Sequence, residues 1–275
     1  MKHKNSTFIY NTILALYLSV LIFNGFAQGS WTQKADWTGC YAQSNTAIAV
    51  NDKAYVGLGT ASCDDWREYN PSNNSWSQKD PLPSVFTETN MGFPINNNAY
   101  ILTGSGNVNG NTEYKNELWK YNTSSENWTY LNDFPGDIVS HGASFSINGK
   151  GYICGGVKPM HNWAYSNELW EYDPITNSWS QKAGFIGTPV MASISFVVDG
   201  VAYVGGGISA MGVISQSFYR YDPLIDQWSS ILSCPKDELF AASAFAINGK
   251  GYVGMGLSNL ANESPHEVWQ YNPIN

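Results

Sequence analysis

The sequence predicts an all-β fold built from repeats, and three observations carry that prediction. A Tyr-(Ile/Val)-x-x-Gly anchor occurs five times, at residues 55–59, 100–104, 152–156, 203–207 and 252–256. Trp31, Trp76, Trp128, Trp179 and Trp228 follow one another at spacings of 45, 52, 51 and 49 residues. Asn-, Asp- and Pro-rich turns fall at matching places between these marks. A period near fifty is the signature of a repeat architecture, in which each unit is one supersecondary element.

The third repeat, residues 142–181, shows what one unit is. Ala143-Ser144-Phe145-Ser146-Ile147 alternates small or polar with apolar, as a half-buried strand does. Asn148-Gly149 follows, and this pair suits a two-residue hairpin whose central residues both need positive φ. Residues 151–156 form the return strand, with paired glycines where the backbone is closely approached. After a loop, residues 167–172 give a third strand. Asp173-Pro174-Ile175-Thr176-Asn177 is a turn, with Pro presetting φ and Asp able to accept from the backbone ahead. Residues 178–181 give a short fourth strand. Four antiparallel strands per unit make one blade of a propeller. The other units agree. The first turn returns as Asn51-Asp52, Asn96-Asn97, Asp199-Gly200 and Asn248-Gly249. The second returns as Asn70-Pro71, Asp222-Pro223 and Asn272-Pro273, and only Asn122-Thr123 lacks the proline.

This pattern of an apolar strand, a glycine doublet and spaced Tyr and Trp resembles the kelch repeat, in the style of exported bacterial kelch proteins. The resemblance covers nearly all of the chain after residue 28 and implies a kelch-type β-propeller. The doublet is Gly-Gly only in repeats three and four. In repeat one Trp66-Arg67 stands where the others have Leu118-Trp119, Leu169-Trp170, Phe218-Tyr219 and Val268-Trp269, so blade one is expected to be the least regular. Residues 28–275 are read as one propeller, with blades at about 41–79, 88–131, 140–182, 191–231 and 240–275. Residues 29–34 would supply the last blade's fourth strand, because Ser30-Trp31-Thr32-Gln33-Lys34 matches Ser178-Trp179-Ser180-Gln181-Lys182. Closure of this kind hides exposed strand edges. Kelch relatives usually have six or seven blades, so a fragment of a larger ring is the alternative.

Residues 1–27 read as a secretory signal, with Lys2 and Lys4, an apolar run from Phe8 to Phe26, and Gly25-Phe26-Ala27 as a cleavage site. A secreted, periplasmic or cell-surface protein is expected, monomeric and not inserted in a membrane once the signal is removed. Losing the two lysines takes the formal charge from −8 to about −10. That argues against nucleic acid, which needs clustered Lys and Arg. Four cysteines in an exported chain raise the question of disulfides. Cys154, beside a glycine doublet, is expected as a buried free thiol. Cys40 and Cys63 fall in loops that share one propeller face and are the expected pair, with Cys234 as a rival partner for Cys40.

Loops joining strands two and three, and links between blades, share one face. They are the long, irregular loops of this chain, and binding residues concentrate on such loops. The richest is residues 157–166, where His161, Trp163 and Tyr165 are aromatics outside the repeat pattern. His141 opens the same blade. Glu88, Asp133, Asp137, Asp237 and Glu238 are acids in the inter-blade links, and His266 ends the last long loop. His161, Trp163, Tyr165, His141, Asp137, Glu88, Glu238 and His266 make up the expected ligand surface. A metal site of His141, His161 and His266 has no local ligand spacing to support it, and none is expected. No nucleophile elbow or phosphate loop appears, so no catalytic residue or cofactor is assigned. The resemblance admits enzymes. A kelch-fold copper oxidase needs a cysteine crosslinked to tyrosine, and no matching motif is present. A sugar-acid mutarotase would favour an arginine clamp, and the chain has only Arg67 and Arg220, both in third strands. The leading expectation is a binding module for a glycan or a protein. A carbohydrate-active mutarotase, epimerase or oxidase is the alternative.

Overall fold

The computed structural model describes residues 32–40, 46–59, 64–235, 239–257 and 267–273. The chain divides into two units, residues 1–36 and 37–275. In the first, Thr32 to Asp36 are irregular, with the Gln33 side-chain amide donating to Asp36 at 3.0 Å.

The second unit is a five-blade β-propeller arrangement. Blade 1 consists of Thr46–Val50, Lys53–Gly57, Trp66–Asn70 and Ser75–Lys79. Blade 2 consists of Met91–Ile95, Asn98–Leu102, Glu117–Asn122 and Asn127–Asp133. Blade 3 holds Ala143–Ile147, Lys150–Cys154, Leu169–Asp173 and Ser178–Lys182, and blade 4 holds Ile194–Val198, Val201–Gly205, Phe218–Asp222 and Gln227–Ser230. Blade 5 has Ser243–Ile247, Lys250–Gly254 and Val268–Tyr271. Strands pair antiparallel in chain order within every blade. No α-helix occurs among the described residues.

The first-turn chemistry holds in blades 1, 3, 4 and 5, while in blade 2 only Asn96 of the Asn96-Asn97 pair takes positive φ. Asn148 and Gly149 take φ of 50° and 77°, and blades 1, 4 and 5 likewise have both central residues at positive φ. The second turn ends on Asn74, Glu126, Asn177 or Asp226, each near φ +50°. In three blades the third-strand tyrosine latches this residue: Tyr69 to Asn74 at 2.8 Å, Tyr172 to Asn177 at 2.8 Å, and Tyr221 to Asp226 at 2.7 Å.

The core lies between blades. First-strand apolar residues of one blade face the second and third strands of the next: Phe93 and Ile95 meet Ile153 and Tyr172, and Phe145 and Ile147 meet Ala202, Val204 and Tyr221. Each first-strand phenylalanine also stacks on its own blade's second-strand tyrosine, as in Phe93–Tyr100 and Phe145–Tyr152. Link residues six positions after a fourth-strand tryptophan cover the next blade's tryptophan. Phe134 lies edge-on to Trp179 at 5.1 Å, and Phe185 edge-on to Trp228 at 5.2 Å. Trp37 plays the same part for Trp76 at 4.9 Å.

Blade 1 is irregular as expected. Trp66 takes the place of a leucine and is fully buried among Tyr55, Tyr121 and Trp128. Arg67, in place of Trp, lies 5.9 Å over the Trp37 ring.

The expected fourth strand of blade 5, residues 29–34, falls partly outside the described residues. Thr32, Gln33 and Lys34 carry no strand pairing, and Ser30 and Trp31 lie outside the described residues. Among the described residues blade 5 has three strands. An apolar hollow of about 300 Å³ lies beside its third strand, lined by Phe196, Ile231, Cys234, Pro235, Trp269 and Tyr271. In blades 2 to 4 the third-strand tyrosine instead packs on Trp128, Trp179 or Trp228.

Candidate functional site

Two long loops fold back as small hairpins. Ser105–Val108 pairs with Asn111–Tyr114 in blade 2. Val157–Lys158 pairs with Ala164–Tyr165 in blade 3, around a one-turn 3-10 segment, Pro159–His161. Asn162 and Trp163 follow this segment at φ 54° and 58°. Positive φ is tolerable for Asn but uncommon for a bulky residue, and such conformations concentrate at ligand sites. The hairpin pairs Val157–Tyr165 and Lys158–Ala164 hold the turn in place.

Trp163 is 49 % exposed. Its ring lies edge-on to Tyr114 at 6.2 Å, so one aromatic from each hairpin meets across blades 2 and 3. Beside this pair runs a chain of charges. Lys158 Nζ donates to Asp137 Oδ2 at 2.8 Å and to Glu168 Oε1 at 2.6 Å. His161 Nε2 lies 3.2 Å from Asp137 Oδ1. Trp170 Nε1 donates to Glu168 at 2.8 Å. The Lys158 ammonium holds the Asp137 carboxyl below its ordinary range. Burial pulls Glu168 upward, but the hydrogen bonds from Lys158 and Trp170 outweigh it, and its carboxyl also lies low. Both are carboxylates at neutral pH.

The remaining expected residues are more dispersed. Tyr165 is half-buried in its hairpin. His141 sits at φ 57° next to Ser140, whose backbone pairs with Val157, and its Nδ1 is 3.0 Å from Ser140 Oγ. Burial pushes the His141 pKa down, so this imidazole is neutral at pH 7. Glu88 bridges to Ser105 through the backbone, at the root of the blade 2 hairpin. Asp133 ends a fourth strand rather than lying in a link, and accepts from Tyr130 at 2.8 Å. Asp237, Glu238 and His266 lie outside the described residues. No cluster of His, Cys, Asp or Glu among the described residues is arranged to hold a metal. Cys154 and Cys234 are buried and outside any disulfide, which removes Cys234 as a partner for Cys40. The Cys154 pKa is pushed up to about 12 by burial, so it is an inert packing residue.

Sequence reasoning missed two members of this cluster. Tyr114 was not singled out from the sequence. Asn109-Gly110, at φ 53° and 84°, was the available hairpin signal. Lys158 joins two side chains, Asp137 and Glu168, but these come from a link and from just before a third strand, and no local spacing announces them.

Repeated four-stranded blades, packed one against the next, define a β-propeller. The KLHDC2/KLHL20/DRC7 Kelch-repeats domain matches residues 44–256, and the chain belongs to this kelch-repeat family. It is also similar to the N-acetylneuraminate epimerases of Shigella boydii serotype 4 (strain Sb227) and Escherichia coli (strain K12). Each is 32 % identical over 84 residues, 30 % of this chain. The match spans only 23 % of the length of those relatives. The solved structure of YjhT shares the fold at a TM-score of 0.68 and 19 % identity, over 78 % of this chain and 72 % of that one. No helix among the described residues is long and apolar enough to cross a membrane.

Proposed function

We propose that this chain is an exported kelch-propeller binding module that takes a glycan or a protein surface on the long-loop face of blades 2 and 3. The observation that carries this reading is the pairing of exposed Trp163 with half-buried Tyr114, beside the Lys158–Asp137–His161 contacts. Aromatic rings supply contact area at low entropic cost, and aromatic anchors carry much of the binding energy at interfaces. The adjacent carboxylate and donors would fix orientation. Export rests on the signal pattern of residues 1–27. A Cys40–Cys63 disulfide belongs to the same reading, supported by Cys154 and Cys234 being buried outside any disulfide and by Cys40 being in disulfide form.

The test is a glycan array and a protein pull-down with the exported chain, followed by Trp163→Ala. The variant is expected to weaken any ligand found by about 2 kcal/mol or more, as a central aromatic anchor does. Unchanged affinity in a folded variant would place the site elsewhere.

A second reading is a sugar epimerase, favoured by the similarity to N-acetylneuraminate epimerases. Neither arginine supports recognition of a sugar carboxylate. Arg67 is taken up by Trp37, Thr38 and Asp65, and Arg220 lies 3.6 Å from Asp222 on its own strand. Anomer interconversion of N-acetylneuraminate, followed by NMR with and without the protein, decides this reading. Acceleration would establish it over the binding module.

A further inference from the structure

Three successive blades treat one equivalent space among their long loops in three different ways. Glu88 bridges Ser105 in blade 2, Ser140 bridges Val157 in blade 3, and Met191 pairs with Ile208 in blade 4. The carbonyls of Glu117, Glu168 and Ser217 accept from Thr103, Gly155 and Gly206 in the same way. These contacts align Gly106, Lys158 and Ser209 at one position, Val85, Asp137 and Thr188 at a second, and Glu117, Glu168 and Ser217 at a third.

In blade 2 the backbone closes the space: a Cβ on Gly106 would lie 2.2 Å from the Val85 carbonyl oxygen. In blade 3 the Lys158 side chain fills it and ties Asp137 to Glu168. In blade 4 all three side chains are cut back to hydroxyls, and a hollow of about 340 Å³ lies there. Ser215, Gln216 and Ser233 add two further hydroxyls and an amide, while Met211 and Val213 supply apolar wall. Among the described residues no charged side chain lines it. Two of the hydroxyls already accept from the backbone. The Val213 N–H donates to Ser209 Oγ at 3.3 Å, and the Ser217 N–H to Ser215 Oγ at 3.2 Å. Each of these hydroxyls keeps its own hydrogen to donate.

We propose that the blade 4 hollow binds one neutral sugar residue, its hydroxyls bonded to Thr188, Ser209 and Ser215 and its C–H face laid against Met211 and Val213. The proposal rests on the binding-module reading in placing ligands among the long loops, and deepens it by choosing a glycan over a protein. A wholly apolar ligand would leave the buried Ser209 hydroxyl without an acceptor, which costs free energy. An ionic ligand would give up its hydration and meet no opposite charge. A sugar ring carries hydroxyls that both donate and accept, together with apolar C–H edges, and so answers both kinds of wall. The volume lies at the small end of ligand sites, which suits a single ring rather than a length of peptide.

The test is a titration of the exported chain, labelled at its methionine methyl groups, followed by NMR. The probes are the methyl glycosides of glucose, galactose, mannose and N-acetylglucosamine, each taken to about 20 mM, enough to show millimolar association. At least one glycoside is expected to shift the Met211 methyl, in the hollow, and to leave that of Met160, on the blade 3 hairpin, in place. Ser233→Trp, at an exposed position, fills the hollow and is expected to abolish the Met211 shift, whereas Trp163→Ala keeps it. A shift at Met160 instead of Met211, lost in Trp163→Ala, overturns the blade 4 site and leaves the binding-module reading standing. No shift with any glycoside overturns the proposal, as does a Met211 shift that survives Ser233→Trp. A stronger Met211 response to N-acetylneuraminate, or to the neutral peptide acetyl-trialanine amide, than to every glycoside overturns it too.

Discussion

At Gly151 a missing Cβ sets the distance between two blades. The Phe93 ring occupies the place a methyl group would need, with ring carbons at 2.0–2.5 Å from it. Gly151→Ala is therefore expected to cost about 1–3 kcal/mol by overpacking, read as a lower melting temperature. A variant that melts with the parent would mean that the blades slide apart freely. The tyrosine latch makes a second residue-scale prediction. Tyr172 donates to Asn177, which holds the turn at positive φ. Tyr172→Phe should lose about 1 kcal/mol, the net worth of one such hydrogen bond. Tyr121→Phe should cost less, because the Tyr121 hydroxyl is buried without a hydrogen-bond partner. Equal losses at the two positions would reject the latch. The latch was not legible in the sequence. Tyr172 and Asn177 were each read correctly, as strand and turn, but the bond between them depends on the side chain reaching around the turn.

At the scale of the element, strands and tight turns were legible because each is fixed by local chemistry. Alternation sets the buried face, and Asn-Gly or Asp-Pro sets the turn. The site was legible in part. Residues 157–166 stood out through aromatics that the repeat does not use, and the structure builds a hairpin there. What local chemistry does not encode is the partner across the blade boundary, so Tyr114 and the Lys158 network emerge only with the fold. This network gives the element-scale prediction. Lys158 ties the hairpin to the Asp137 link and to Glu168 of its own blade. Lys158→Met should leave the blade core intact while loosening the hairpin, seen as faster amide exchange confined to residues 157–165. Exchange unchanged in that hairpin would show that backbone pairing alone holds it.

For the whole molecule, buried acids make stability depend on pH in a direction that follows from their surroundings. Burial pulls Glu68 upward, but hydrogen bonds from Lys53 and Tyr55 outweigh it, so its pKa lies below the ordinary value. Glu171 repeats this arrangement in blade 3 with Lys150 and Tyr152. Asp226 is also lowered: backbone donation from Ala183 and the Tyr221 hydroxyl overcome its burial. A carboxyl with a depressed folded pKa gives stability that is present above its unfolded pKa and lost as pH falls through the folded one. His141 adds to this in a higher window. Burial keeps it neutral, so protonation below its ordinary pKa of about 6.5 acts against the folded state. The melting temperature should therefore begin to fall below about pH 6.5 and fall more steeply below about pH 4.5, where model carboxylates protonate. Blade 5 supplies the control. There Gln270 accepts the Tyr252 hydroxyl at 3.0 Å, in the place where Glu171 accepts Tyr152. Glu171→Gln keeps an acceptor for Tyr152 but cannot titrate. It should be somewhat less stable at pH 7, through loss of the Lys150 ion pair, and should show a shallower loss of melting temperature in acid than the parent. Parallel curves for parent and variant would show that Glu171 does not contribute to acid unfolding.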